Sequence, residues 1–325
     1  MTAHTVIGAG VAGLAVATEL VSRGADVAIY DPAGPPGPHG CSWWAGGMLA
    51  PFCEFESAEE PVLRLGKEAL SWWLDRTQVT QAGTLVVAQP RDHADLRRFG
   101  RRTSGHRDVA APDIADLEPD LSNLSRGLFF ADEAHLDPRR ALADLWEALE
   151  ERGVALHRQT APNTLENAID CRGFAARDRL EGLRGVKGEM LVIHCPEIEL
   201  HRPLRLLHPR LPLYIVPRGD GIYMLGATMI EAEDRTRITA RSMLELLSAA
   251  FALNPAFGEA EILEIGVDLR PAFPDNLPKI RQIDGVTYAN GLYRHGFLLA
   301  PALARSVADF VLENRKSELV DEDYA

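Results

Sequence analysis

The sequence predicts an α/β fold that carries a second, antiparallel sheet. Strand and helix patterns alternate at both ends of the chain, as they do in a parallel sheet covered by helices. Between them, residues 212–217 and 222–228 read as two strands, and the intervening Arg-Gly-Asp-Gly is typical of an antiparallel hairpin. A chain of 325 residues also exceeds the size at which one core usually keeps growing. We therefore expect two domains, one assembled from separated segments and the other inserted into it.

Residues 5–31 form the first strand–turn–helix–strand unit, and its turn has the pattern G-x-G-x-x-G. Gly8 permits the tight turn, Gly10 lets the backbone approach a pyrophosphate, and Gly13 lets the helix pack closely on the strand. The helix N-terminus favours that pyrophosphate. Asp31 ends the second strand, where it would accept hydrogen bonds from a ribose and repel a ribose 2′-phosphate. The motif predicts FAD or NAD rather than NADP and leaves those two open, with an ordinary glycine-rich turn as the alternative.

The remaining elements follow from apolar spacing and from residues that begin or end helices. Asp137 followed by Pro138 predicts a helix start, with Asp137 as the N-cap. The other predicted helices are 60–74, 92–102, 242–253 and 297–314, and further strands are predicted at 83–89, 128–130, 154–157, 168–170, 189–193, 261–269 and 286–289. His135 is expected in a turn, and the acidic residues 317–325 are expected to fray.

Composition excludes several classes of function. The net charge of −13 argues against nucleic acid or an anionic membrane as the main partner. The four cysteines show neither a disulfide framework nor zinc-ligand spacing, so we expect free thiols in the cytoplasm and no metal. No apolar run is long enough to span a membrane, and the first strand leaves no room for a signal peptide.

Four segments resemble the D-amino-acid oxidase-like flavoproteins and, within them, the glycine oxidases of thiamine biosynthesis. They are GAGVAGLAVATEL at 8–20, SWWAGGMLAP at 42–51, YIVPRGDGIYMLGATM at 214–229, and DLRPAFPDNLPKI with NGLYRHGFLLAP between 268 and 301. The resemblance implies a Rossmann-type FAD-binding domain with an inserted, sheet-rich substrate domain. We assign 1–80, 136–182 and 266–325 to the FAD-binding domain, and 81–135 and 183–265 to the substrate domain.

The expected cofactor contacts lie in the glycine turn, the run of small residues at 45–47 (the small-residue run) with its neighbours, the turn after the strand at 168–170 and the start of the last helix. They are Gly8, Gly10, Val11, Ala12, Gly13, Asp31, Ser42, Ala45, Gly46, Gly47, Met48, Gly173, Arg294, His295, Gly296, Phe297 and Leu298. Residues 157–167 look shorter than in the family, so no adenine contact is assigned there. Trp44 stands where some relatives carry a flavin-linking histidine, and no cysteine follows Cys195. We expect non-covalent FAD.

The resemblance also assigns the substrate site. Arg270 matches the arginine that binds the substrate carboxylate, and two charge-assisted hydrogen bonds from a guanidinium suit that task. Tyr214 would donate to the same carboxylate, Met229 would limit the pocket, and Arg294 would lie near the reacting centre. The alternatives are a surface arginine, a half-buried core tyrosine and a packing methionine. His295 is interpreted as a possible helix cap rather than a base.

These assignments predict an FAD-dependent oxidase of glycine that reduces O₂ to hydrogen peroxide. By the same resemblance its imine product would pass to thiazole formation in thiamine biosynthesis, and the protein would form a homo-oligomer. An oxidase or dehydrogenase of sarcosine, a D-amino acid or another secondary amine is the nearest alternative. An NAD-linked dehydrogenase and a non-catalytic nucleotide-binding protein are alternatives from other classes.

Overall fold

The computed structural model describes residues 3–162, 167–208 and 212–324. The strands are β1 (Ala3–Ile7), β2 (Asp26–Tyr30), β3 (Met48–Leu49), β4 (Val79–Thr80), β5 (Thr84–Ala88), β6 (Arg107–Ala110), β7 (Arg126–Phe130), β8 (Ala134–Leu136), β9 (Ala155–His157), β10 (Ala168–Asp170), β11 (Arg184–His194), β12 (Leu204–Leu207), β13 (Leu213–Gly219), β14 (Ile222–Gly226), β15 (Ile230–Glu231), β16 (Glu261–Ala272), β17 (Lys279–Ile283) and β18 (Val286–Asn290). The α-helices are α1 (Val11–Ser22), α2 (Pro51–Glu54), α3 (Glu60–Gly66), α4 (Ala69–Leu74), α5 (His93–Arg102), α6 (Ala111–Leu117), α7 (Pro138–Glu151), α8 (Ala240–Leu253) and α9 (Gly296–Glu313).

A six-stranded sheet joins the two ends of the chain in the order β17-β18-β10-β1-β2-β9. Its five strands from β18 to β9 are parallel, and β17 is antiparallel to β18. Helices α7 and α9 both pack against α1. Leu14, Leu20, Ile29 and Leu303 are fully buried in the core of this layer. The expected α/β layer built from separated segments is confirmed, because strands from both halves of the chain hydrogen-bond side by side.

A nine-stranded sheet forms the second layer. Its order is β15-β11-β14-β13-β12-β5-β7-β6, with β16 also paired to β11. The predicted hairpin is confirmed as β13 and β14, which pair antiparallel on either side of residues 220–221. Helix α8 contributes Leu246, Ala250 and Leu253 to the core of this layer. Strand β12 pairs parallel with β5, so the sheet is mixed.

A short three-stranded sheet, β3-β8-β4, draws together residues that lie far apart in the chain. It pairs residues 48–49 and 79–80 with residues 134–136. In the nine-stranded sheet, strand β16 continues without interruption through residue 266. Two of the proposed domain limits, 135/136 and 265/266, therefore fall within paired strands. The division into 1–80, 136–182 and 266–325 against 81–135 and 183–265 stays a prediction.

Three local expectations were wrong. The helix expected over 60–74 is two helices, α3 and α4, separated at residues 67–68. At the end of α3, Gly66 packs so closely that a Cβ there would lie 2.9 Å from Leu298. His135 lies in strand β8 rather than in a turn. The C-terminal segment does not fray as a whole, since Leu319 and Val320 are buried and Val320 bridges to Ile280.

Asp137 caps α7 as predicted, accepting hydrogen bonds from the backbone N–H groups of Arg139 and Arg140. The expectation that the chain is trimmed over 157–167 falls partly on residues 163–166, which lie outside the described residues. In the described part of the chain, no helix combines the length and the apolar character needed to cross a membrane.

Candidate active site

A large cavity lies where the glycine turn after β1, the start of α9, and strands β13, β14 and β16 meet. Its volume is about 440 Å³, within the range of small-molecule sites. All but one of the predicted site residues line it: Gly8, Gly10, Val11, Ala12, Asp31, Ser42, Ala45, Gly46, Gly47, Met48, Gly173, Tyr214, Met229, Arg270, Arg294, His295, Gly296, Phe297 and Leu298. The exception is Gly13, which packs beneath the turn.

The glycine turn is shaped by two positions that accept no side chain. Gly8 has φ +105°, and a Cβ there would lie 2.8 Å from the Cys171 carbonyl oxygen. A Cβ on Gly13 would lie 1.9 Å from the Gly8 carbonyl oxygen. By contrast, a Cβ on Gly10 would meet only Ser42 Oγ, at 3.4 Å. Gly8 and Gly13 therefore serve the fold of the turn, whereas Gly10 keeps the surface of the cavity open.

Asp31 holds the same turn from the end of β2. Its Oδ2 accepts a hydrogen bond from the Ala9 backbone N–H over 2.8 Å, and its Oδ1 accepts from Ala33 N–H over 2.9 Å. The Val11 N–H donates to Ser42 Oγ over 3.1 Å, which fixes the small-residue run beside the helix start. Asp31 still lines the cavity and keeps lone pairs for a ligand hydroxyl.

Two helix N-termini reach the cavity, since α1 begins at Val11 and α9 begins at Gly296, and both residues line it. Helix N-termini carry partial positive charge and free N–H groups. Together with the side-chain-free surface at Gly10, the two helix N-termini fit a long ligand. Such a ligand would carry a pyrophosphate at one end and a group that gains negative charge at the other. The residues present therefore fit FAD.

Arg270 projects from β16 into this cavity. Its Nη1 donates to the Thr228 carbonyl oxygen over 3.0 Å, and no carboxylate of the described residues lies within ion-pair distance. Burial lowers the pKa of Arg270, with the nearby Arg294 acting in the same direction. A half-buried guanidinium without a carboxylate partner favours an anionic ligand, and a carboxylate matches its planar donors.

Glu54, at the end of α2, is the main residue that the sequence interpretation missed. It is buried, and its Oε1 accepts a hydrogen bond from the Tyr214 hydroxyl over 2.6 Å. Its Oε2 lies 3.0 Å from Arg294 Nη2 and 3.1 Å from His295 Nε2. Burial opposes its ionisation, but the Arg294 guanidinium, His295 and Arg205 together hold the pKa of Glu54 well below its usual range.

This arrangement differs from the expected role of Tyr214. A phenol has one hydrogen to donate, and here it goes to Glu54 rather than to a ligand carboxylate. Arg294 is also engaged, because it pairs with Glu54 and donates to Ser57 Oγ over 2.7 Å. Met229 lies at the cavity rim with 46% of its surface exposed, so it borders the pocket at its mouth.

Arg205 is a second residue that the sequence interpretation missed. It is 3% exposed in strand β12, and its Nη1 donates to the Cys53 carbonyl oxygen over 3.0 Å and lies 3.9 Å from Glu54 Oε1. A charged residue within the apolar run Leu204–Leu207 was the available signal. For Glu54 the only signal was its position three residues after the segment at 42–51.

The comparisons with known proteins agree with this geometry. Residues 4–310 match the model of the DAO family, described as FAD dependent oxidoreductase. The chain belongs to this family. The family match decides between FAD and NAD, which the glycine motif had left open, so the cofactor is FAD and the enzyme class is oxidoreductase.

Three relatives illustrate the family. A Rhizobium etli protein that is named a thiamine biosynthesis oxidoreductase, ThiO, is 53% identical over 309 residues, covering 93% of this chain and 94% of that protein. The bifunctional protein ThiO/ThiG of Trichormus variabilis is 27% identical over 97% of this chain, which spans 53% of the length of that relative. Glycine oxidase of Geobacillus kaustophilus is 27% identical over 94% of this chain and 92% of that enzyme.

A crystal structure of glycine oxidase from Geobacillus kaustophilus has the same fold. The TM-score is 0.82 with 23% identity, over 98% of this chain and 97% of that one. The expected architecture, a nucleotide-binding layer combined with a sheet-rich layer, is therefore confirmed for this flavoprotein family.

Proposed function

We propose that this flavoprotein is a glycine oxidase, converting glycine to its imine and O₂ to hydrogen peroxide. The observation that carries the proposal is the half-buried Arg270 guanidinium, which shares one cavity with the glycine turn and lacks a carboxylate partner among the described residues. A small amino acid supplies that carboxylate. The Geobacillus kaustophilus enzyme supports glycine as the substrate, and the Rhizobium etli relative supports a role in thiamine biosynthesis.

In the proposed reaction, Arg270 binds the substrate carboxylate and thereby sets the direction of the Cα–H bond. FAD held in this cavity would supply the acceptor for the hydride from Cα, and O₂ would supply the final oxidant. The cavity walls exclude bulk water, which strengthens the ion pair to Arg270 and delays hydrolysis of the imine. No side chain needs to act as a base if the amine enters neutral. Orientation and charge placement are then the protein's contribution.

The imine hydrolyses to glyoxylate and ammonia unless another reaction captures it. We propose that thiazole formation captures it, an idea supported by the fused ThiO/ThiG relative. We further propose that FAD is bound non-covalently, since position 44 is tryptophan and no cysteine follows Cys195. A cytoplasmic location is proposed from the unpaired state of all four cysteines, and a homo-oligomer from the family resemblance.

The first test is the visible absorption spectrum of the purified protein without oxygen. Oxidised-flavin absorbance that bleaches with glycine and returns with air is the expected result. Bleaching with sarcosine or D-alanine instead would retain the oxidase and replace the substrate. A flavin spectrum that none of the three bleaches would contradict the proposal.

Arg270→Lys tests the assignment of the carboxylate site. Lysine keeps the charge but loses the paired, planar donors, so we expect KM for glycine to rise at least tenfold while the flavin stays bound. Arg179→Lys is the matched control, because Arg179 does not line the cavity and forms an exposed ion pair with Asp284. Unchanged glycine kinetics in Arg270→Lys would show that another group binds the carboxylate.

A further inference from the structure

The hydrogen bond between Tyr214 and Glu54 determines what the tyrosine oxygen can offer to a ligand. Hydrogen positions in such a pair follow from the chemistry of the partners. An ionised carboxylate only accepts hydrogen bonds, so the single hydrogen of Tyr214 must point at Glu54 Oε1, 2.6 Å away. The lone pairs of the tyrosine oxygen remain for the cavity that Tyr214 lines.

Glu54 is held ionised by cations on more than one side. Arg294 Nη2 is 3.0 Å from Oε2, and Arg205 Nη1 is 3.9 Å from Oε1. Although burial works against the charged form, these cations and His295 keep the pKa of Glu54 well below its usual range. The pKa of Tyr214 is raised well above its usual range, chiefly by burial, so the phenol keeps its hydrogen.

We propose that the Tyr214 oxygen accepts a hydrogen bond from the amino group of the substrate, and that Glu54 is the positioning residue that enforces this direction. The inference rests on the proposed function and assigns a specificity element within the same site. Arg270 recognises the carboxylate and Tyr214 recognises the amine. The pair thereby distinguishes an amino acid from a simple carboxylic acid, since a carboxylate placed at Tyr214 would face lone pairs rather than a donor.

Tyr214→Phe tests the role of the hydroxyl, since it removes one oxygen and keeps the ring. We expect KM for glycine to rise at least tenfold. Binding of acetate, which has the carboxylate but no amine, is measured from the change it causes in the flavin spectrum and should stay within twofold of wild type. If acetate weakens as much as glycine does, Tyr214 donates to the carboxylate and the inference is overturned.

Glu54→Gln tests the direction of the hydrogen bond. The closest donor, Arg294 at 3.0 Å, will orient the glutamine oxygen toward itself, so the glutamine NH₂ will face Tyr214. The phenol hydrogen then turns into the cavity, and we expect acetate to bind at least threefold more tightly while KM for glycine rises. Unchanged or weaker acetate binding would contradict the proposal.

Loss of the Glu54 charge alone could also favour an anion, so the double variant Glu54→Gln with Tyr214→Phe separates the two causes. The gain in acetate binding should disappear in the double variant, because it requires the phenol hydrogen. A gain that persists would assign the effect to charge and overturn the inference.

Failure of the proposed function has a different signature: glycine would not reduce the flavin of the wild-type protein. The same comparison would then use sarcosine or D-alanine, and the acetate titration needs no turnover.

Discussion

Arg270 occupies the space that a side chain at Gly188 would take. The two residues lie on the paired strands β16 and β11, and a Cβ on Gly188 would be 2.3 Å from Arg270 Nη2 and 2.4 Å from its Cζ. Real Cβ contacts are not that short, so the glycine is the reason that the guanidinium can lie flat against β11 and face the cavity. The position of Arg270, which we propose as the carboxylate-binding residue, thus depends on a glycine of the neighbouring strand.

Gly188→Ala should therefore displace the Arg270 guanidinium without unfolding the protein, because the clash is with the far end of a flexible side chain. We expect KM for glycine to rise about tenfold, with flavin content and melting temperature close to wild type. Gly100→Ala is the control, since it adds the same methyl group within α5, where the nearest atoms are 3.4 Å away. Equal KM values for both variants would mean that Arg270 can move away from the added methyl group without weakening substrate binding.

Gly13→Ala and Gly10→Ala should separate folding of the glycine turn from binding by it. At Gly13 the added Cβ meets backbone at 1.9 Å, so we expect a loss of about 2–3 kcal/mol in the free energy of unfolding of the apoprotein. At Gly10 the added Cβ meets only Ser42 Oγ at 3.4 Å, so the apoprotein should keep its stability and bind FAD more weakly. Denaturant unfolding without cofactor and titration with FAD measure the two effects. The reverse pattern would contradict this division of roles.

Glu133 should make stability depend on pH. It is 1% exposed, and its Oε1 accepts a hydrogen bond from the Cys53 backbone N–H over 2.7 Å. Burial raises the pKa of Glu133 from 4.5 to about 8. Between these values the folded protein holds a proton that the unfolded chain has lost, so stability falls as the pH rises from about 4.5 to 8 and changes little beyond.

Glu133→Gln removes that titration. Relative to wild type, we expect the variant to gain about 1–3 kcal/mol between pH 5 and pH 8.5, measured by denaturant unfolding at each pH. Glu150→Gln, on the exposed face of α7, is the control and should show no such trend. A constant difference between Glu133→Gln and wild type across this range would show that Glu133 is already ionised at pH 5.

The C-terminal segment should contribute to stability. Leu319 and Val320 are 4% and 6% exposed, and the Ile280 N–H donates to the Leu319 carbonyl oxygen over 2.7 Å. Replacing both by alanine should lower the free energy of unfolding by about 3–5 kcal/mol. Leu312→Ala, at a position 37% exposed on α9, should change it far less. Similar losses for the two variants would indicate that the segment does not pack as described.

The sequence by itself determined the layered fold and the glycine turn, whereas most of the other residues around the cavity were assigned through the resemblance to a known family. The fold and the turn follow from local rules: Gly8 and Gly13 sit at fixed spacing, Asp31 ends the next strand, and the hairpin of β13 and β14 contains its own turn signal. Such patterns are readable because neighbouring residues in the chain cause them.

Only the tertiary structure decided the polar network and the direction of its hydrogen bonds. Glu54, Arg205, Tyr214 and Arg294 come from four separate segments, and no local pattern records that they meet. Burial then fixes their charge states, because an ionised carboxylate survives in the interior only beside cations. The state of Glu54 in turn sets what Tyr214 presents to a ligand, which is a property of the assembled site and of no single stretch of sequence.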